Sequence, residues 1–168
     1  MRLFFALWPD APAAAMLADL ARELAERSGG KAVPQAKIHL TLAFLGDVDE
    51  ERLEDAMLAP AGLEAAGFDM VLDQVGSFSG ARVGWAGCRQ PARGLADLQS
   101  ALVRRLAKRG FVPDDRPYAP HVTLARKIAR PIARAAMPEI RWRARELALV
   151  RSELGKGSYS TLADWKLG

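Results

Sequence analysis

An α+β fold of two pseudo-symmetric lobes is predicted by three observations. Each half of the 168-residue chain reads as strand, helix, strand. The closing strand of each half carries the same triplet, His39-Leu40-Thr41 and His121-Val122-Thr123. The triplets lie about half the chain apart, as an internal duplication would leave them, and a unit present only twice argues for two facing lobes and against a solenoid, which needs at least about three. Runs of strands with helices between them, returning antiparallel or on one side, point to α+β.

The elements follow in order. Residues 3–8 are short and aromatic-rich, as a buried strand is. Asp10 is placed to cap a helix that tolerates Pro12 in its first turn, and Leu17, Leu20, Ala21 and Leu24 give it one apolar face up to Gly29-Gly30. After Pro34, Ile38, Leu40, Leu42 and Phe44 alternate with His39, Thr41 and Ala43, a period of two that predicts a strand with the first set turned to the core. Residues 49–58 read as a short amphipathic helix with an acidic first turn. Strands are expected over 68–78 and 82–87. Leu95, Leu98, Leu102 and Leu106 mark a second long helix closed by Gly110. Val122 and Leu124 then alternate with His121, Thr123 and Ala125. Residues 141–150 read as one strand, and 158–167 as a last one with Tyr159, Thr161, Ala163 and Trp165 in phase.

Composition sets the class. Half of the residues are hydrophobic and 26% are charged, the balance of a folded soluble domain. A single domain over residues 1–168 and a monomer are expected. With 24 Lys and Arg against 20 Asp and Glu the net charge is +4, which favours a phosphate-bearing partner without requiring one. The lone Cys88 cannot form an intramolecular disulfide, so the cytoplasm is the default compartment. The apolar start is cut short by Pro9 and Asp10, unlike an export signal, and no stretch approaches the roughly 18 apolar residues of a membrane span.

The paired triplets carry the chemistry. Alternation sets His39 and Thr41 on one strand face and His121 and Thr123 on another, so two facing lobes would bring two imidazoles and two hydroxyls together. Two imidazoles that titrate near neutrality can serve as a base and an acid at once, which is what hydrolysis of a cyclic phosphodiester needs. The hydroxyls can donate to non-bridging phosphate oxygens, whose charge grows in the transition state. With two His and three Thr in the chain, chance would place a Thr two residues after both His about once in five thousand shuffles. Each triplet alone also fits a core His beside a strand Thr, and two His without a nearby Cys, Asp or Glu at ligand spacing make a poor zinc set.

The sequence resembles the two-histidine phosphoesterases, in particular the RNA 2′,3′-cyclic phosphodiesterases, also called 2′-5′ RNA ligases. The likeness is carried by RLFFALWP, HLTLAFLG, RVGWAG, HVTLAR and GSYSTLADWKL, of which the His-x-Thr pair is the specific part. It implies antiparallel sheets flanking a central cleft with helices on the outer faces. It implies metal-independent hydrolysis of an RNA 2′,3′-cyclic phosphate end to a 2′-phosphate without a cofactor, with 2′-5′ ligation as the chemical reverse. It makes His39 the proton donor to the leaving 3′ oxygen, His121 the proton acceptor that activates water, and Thr41 and Thr123 their phosphate-binding partners. Arg126 would bind phosphate, although strict alternation turns it away from His121: either the strand ends or bulges there, or Arg126 is an ordinary surface charge. Phe5 and Tyr159 are candidates for stacking on a base, each set against an ordinary core role. Arg141, Arg143 and Arg145 share one strand face that could guide an RNA backbone or be merely solvated. Lys156 lies in a glycine turn that a hairpin alone would explain. Two other readings stay open: a phosphodiesterase for small cyclic phosphates such as a nucleoside or ADP-ribose cyclic phosphate, and a binding module without turnover.

Overall fold

The computed structural model describes all residues except Pro113, Asp115 and Leu154. Asp10 caps the first helix, α1 (Ala11–Ser28), by accepting from the Ala13 N–H at 3.0 Å, and Gly29 ends it at φ 72°, where only glycine is unstrained. Leu17, Ala21 and Leu24 are fully buried along its inner face. The 49–58 segment forms a 3₁₀ turn, Glu50–Arg52, followed by α2 (Leu53–Leu58). The third helix, α3 (Arg93–Lys108), buries Leu95, Leu98, Leu102 and Leu106 and closes at Gly110, beyond which the Phe111 N–H returns to the Leu106 carbonyl at 3.1 Å.

The strands are β1 (Arg2–Leu7), β2 (Lys31–Ala32), β3 (Leu40–Asp47), β4 (Phe68–Phe78), β5 (Val83–Gly87), β6 (His121–Arg126), β7 (Ala135–Ala144), β8 (Glu146–Glu153) and β9 (Ser158–Lys166). They pair antiparallel throughout, in the order β7-β4-β5-β6-β3-β1-β8-β9, with β2 added beside β6. The fold is therefore α+β, built on one large antiparallel sheet. Where two sheets are expected there is one, narrowed at its middle to the single pair Leu40–Val122, which joins β3 to β6. These are the central residues of the two His-x-Thr triplets.

One face of the sheet is packed under α1 and α3. Leu3, Phe5, Leu7, Leu40, Leu42, Met70, Leu72, Val122, Leu124, Leu147 and Leu149 point there with the helix stripes and form the main core. Phe4, Ala6, Ala148 and Val150 make a smaller cluster on the opposite face, where Trp8 and Tyr159 join them.

The 141–150 segment is not one strand. β7 ends at Ala144 and β8 begins at Glu146, and the two lie far apart in the strand order with only Arg145 between them. The sheet cannot then be flat, because strands from opposite sides of the order meet at that end. The sequence does mark the break: Ile140, Trp142 and Ala144 are buried at a period of two, and the phase is lost at the exposed pair Arg145-Glu146 before Leu147 and Leu149 resume it.

A second departure from strict alternation recurs three times, each at a Thr-Leu-Ala triplet. The ladder jumps from Thr41 to Ala43, from Thr123 to Ala125 and from Thr161 to Ala163, leaving Leu42, Leu124 and Leu162 as extra residues. These are β-bulges: Leu and Ala both lean to the core, and the residue after them is switched to the other face; in β3 a second slip at Leu45 reverses the phase again. Phe44, expected in the core, is instead paired with Phe4 and 55% exposed. Tyr159 and Trp165, expected in phase, lie on opposite faces, Tyr159 against Phe4 and Trp165 against Phe5.

Candidate active site

β3 and β6 are neighbours, so the two triplets stand side by side on the sheet face away from the helices. The antiparallel register through Leu40–Val122 runs one triplet against the other, His39 towards the Thr123 end and His121 towards the Thr41 end. Burial of Leu40 and Val122 under the helices is what turns the His and Thr side chains the other way.

Both imidazoles are held alike. His39 donates its Nδ1–H to the Lys37 carbonyl at 2.7 Å, and His121 donates its Nδ1–H to the Ala119 carbonyl at 2.8 Å, each acceptor two residues upstream. A carbonyl can only accept, so Nδ1 carries the proton in the neutral ring and Nε2 presents a lone pair. In the first triplet that lone pair receives the Thr41 hydroxyl, with Nε2 and Oγ1 3.0 Å apart.

Their surroundings differ. His39 sits in an aromatic box: Phe4 stacks on it at 4.8 Å, and Trp8 and Tyr159 stand edge-on at 5.5 Å each. Lys37 lies over the Tyr159 ring, 4.8 Å from its centre. The His39 pKa is lowered to about 4, mainly by burial and further by the nearby charges of Arg126 and His121, against the opposing bond to the Lys37 carbonyl. His121 has one aromatic neighbour, Phe78, edge-on at 5.1 Å.

The bulge at Leu124 settles where Arg126 points. Trp85 is paired with Thr123 and Val83 with Arg126, and Val83 and Trp85 share a strand face, so Arg126 lies on the His121 side of the sheet. Its exposed guanidinium has no carboxylate partner among the described residues. Phe44, its counterpart after the bulge in β3, emerges on the same face with the Arg2 guanidinium 5.3 Å from its ring centre.

Of the residues singled out in the sequence, His39, Thr41, His121, Thr123, Arg126 and Tyr159 are thus brought to one face. Phe5 is not. It is completely buried in the core against Trp165, because odd-numbered residues of β1 face the helices. The aromatic that reaches His39 is its neighbour Phe4, and period two along residues 3–8 assigns Phe4, Ala6 and Trp8 to the face of the site. Phe78 and Phe44 were hidden by a different cause, since neither a partner strand nor a bulge is visible in a local pattern. Arg141 pairs with Glu139 at 2.9 Å and Arg143 with Asp69 at 3.3 Å on the outermost strand β7, so two of that face's three guanidinium groups are already engaged. Lys156 pairs with Glu153 at 3.7 Å across the β8–β9 turn, whose Gly155 and Gly157 have φ of 88° and 61°. Among the described residues no cluster of three or more His, Cys, Asp or Glu is set to hold a metal ion.

Comparison with known proteins places this site in context. The family model of the 2′-5′ RNA ligase superfamily matches residues 8–156. The RNA 2′,3′-cyclic phosphodiesterase of Escherichia coli is 34% identical over 142 residues, covering 82% of this chain and 80% of that protein. Its namesake in Thermus thermophilus is 35% identical over 167 residues, covering 92% and 83%. The crystal structure of E. coli LigT complexed with 3′-AMP superposes with a TM-score of 0.90 at 31% identity over 99% of this chain and 97% of the other. A sequence match along most of the chain, a matching fold and two His-x-Thr strands joined at their central residues have a common explanation: the chain belongs to the 2′-5′ RNA ligase superfamily.

Proposed function

We propose that this protein is an RNA 2′,3′-cyclic phosphodiesterase that opens a terminal cyclic phosphate to a 2′-phosphate. One observation carries the reading: two imidazoles on adjacent strands, each with Nδ1–H tied to a carbonyl, turn both Nε2 atoms to one sheet face, where that of His39 exchanges the Thr41 hydroxyl for the substrate. The two halves of the sheet act as pseudo-symmetric lobes and flank a cleft over the central strand pair, with the helices outside.

His121 takes a proton from water as the water oxygen attacks phosphorus. The bond from phosphorus to the 3′ oxygen breaks, and His39 gives that oxygen its proton. The 2′-phosphate remains, and proton exchange with solvent restores both rings. Thr41 and Thr123 donate to non-bridging oxygens, and the exposed Arg126 neutralises their charge. Phe44 and Tyr159 offer ring surfaces to a base. Burial is the main cause of the low His39 pKa, and the positive charges of Arg126 and His121 add to it. A phosphate anion between the rings counters Arg126 and His121 and favours the imidazolium that must donate.

The test is incubation of an oligonucleotide ending in a 2′,3′-cyclic phosphate with the protein and EDTA. Product bearing a 2′-phosphate is expected; substrate left intact at stoichiometric enzyme overturns the reading. A nucleoside 2′,3′-cyclic phosphate run in parallel should react more slowly, and with a weaker salt dependence than the oligonucleotide.

A further inference from the structure

We propose that Tyr118 is a positioning residue that sets the spacing between the two catalytic strands, an inference that rests on the phosphodiesterase reading above. Among the described residues, β3 and β6 pair at Leu40–Val122 alone. Beside that pair, on β3, the Thr41 carbonyl accepts the Tyr118 hydroxyl at 2.8 Å, a bond between residues 77 apart in sequence. The next residue in the chain, Ala119, supplies the carbonyl that holds the His121 Nδ1–H at 2.8 Å. Two consecutive residues thus grip both motifs, one through a side chain and one through its backbone.

The brace is rigid and constant. The Tyr118 ring packs against the main core, which fixes the direction of the hydroxyl. Burial pushes its pKa far up, with Cys88 adding to the effect, so the phenol keeps its proton and can donate across the neutral range. The brace is also one-sided: three residues before His39, the place Tyr118 holds before His121, stands Ala36, which has no hydroxyl. A cross-strand spacing fixed by one ladder pair and one phenol is sensitive to the loss of either, and misplacement of a base by a fraction of an ångström lowers the rate of proton transfer more than it lowers affinity.

The test is Tyr118→Phe, which keeps the ring and removes the hydroxyl. The expected loss is about tenfold in kcat with KM changed less than about twofold. In a His121→Ala background, measured under single-turnover conditions, the same substitution should cost less than about twofold, because the group it positions is gone. An undiminished kcat, or an equal loss in both backgrounds as a general destabilisation would give, overturns the proposal. The ¹⁵N ring resonances of His121 give a readout independent of turnover: they should shift in Tyr118→Phe, and unchanged resonances refute the brace even if the protein proves inactive on cyclic phosphates. If the variant does not fold, the unaltered protein decides: a slowly exchanging Tyr118 hydroxyl proton with a nuclear Overhauser contact to residues 41 and 42 is required, and its absence rejects the brace.

Discussion

The strands β3 and β6 have the same sequence plan, the same carbonyl clamp on Nδ1 and the same Thr-Leu-Ala bulge, yet they present different chemistry. Three aromatic rings enclose His39, and Thr41 occupies its Nε2. His121 leans on Phe78. Beyond the bulge one strand delivers Phe44 and the other Arg126 to the same face. A duplicated backbone can therefore supply two equivalent positions for titratable groups, while the flanking side chains give those groups unlike surroundings. Acid–base catalysis needs one ring to give a proton and the other to take one, and unlike surroundings are what can distinguish the two roles.

The comparison breaks most visibly if either ring is removed. His39→Ala and His121→Ala should each lower kcat/KM by about 10²- to 10⁴-fold, and the double variant should be little worse than the slower single one, because the rings act as a unit. Near-normal rates in either single variant would mean that only one strand is catalytic.

A second effect belongs to His39 alone. Its pKa is about 4 in the folded protein against an ordinary 6.5, so between these values the unfolded chain binds the extra proton. Stability contributed by the neutral ring is complete above about pH 6.5 and is lost as the pH falls towards 4, by about 3 kcal/mol. Urea unfolding of the wild type and of His39→Gln from pH 4 to 7 measures it: the slope of stability with pH should be shallower in the variant. Equal slopes would remove the electrostatic distinction between the strands.

A smaller effect sharpens the contrast beyond the bulge. Arg126→Ala should weaken binding of a phosphate product by about tenfold and raise the His39 pKa, since the guanidinium is one of the charges that depress it; NMR titration of the ring reads the shift. Phe44→Ala should cost only a few-fold in KM for an oligonucleotide and leave that pKa in place. A pKa insensitive to Arg126 would show that burial alone sets it.

The sequence was most informative where local physics decides. Asp10 and Gly29 bound α1, the leucine stripes locate both long helices, and period two places His39 with Thr41 and His121 with Thr123 without knowledge of any partner strand. The pairing of the triplets, and the resemblance it supports, needed no coordinates. Alternation fails where the chain departs from a regular strand. It puts Phe44 in the core because the bulge at Leu42 is invisible to a local pattern. Phe5 stands as a candidate for either the site or the core because nothing local says which face of β1 lies under the helices, and the core is where it lies. A continuous β-propensity run predicts one strand through Arg145, but two consecutive exposed residues interrupt its phase and two strands form.

By itself, then, the sequence determined that each His shares a face with its Thr and which proton chemistry such side chains can perform, because strand periodicity over three residues and the intrinsic chemistry of a side chain are local properties. Tertiary structure alone decided that the triplets meet at Leu40–Val122, that Arg126 turns to the His side, and that Phe4, Trp8 and Tyr159 enclose one ring and not the other. Those outcomes depend on strand order, on a register slip of one residue and on desolvation, each set by partners distant in the chain.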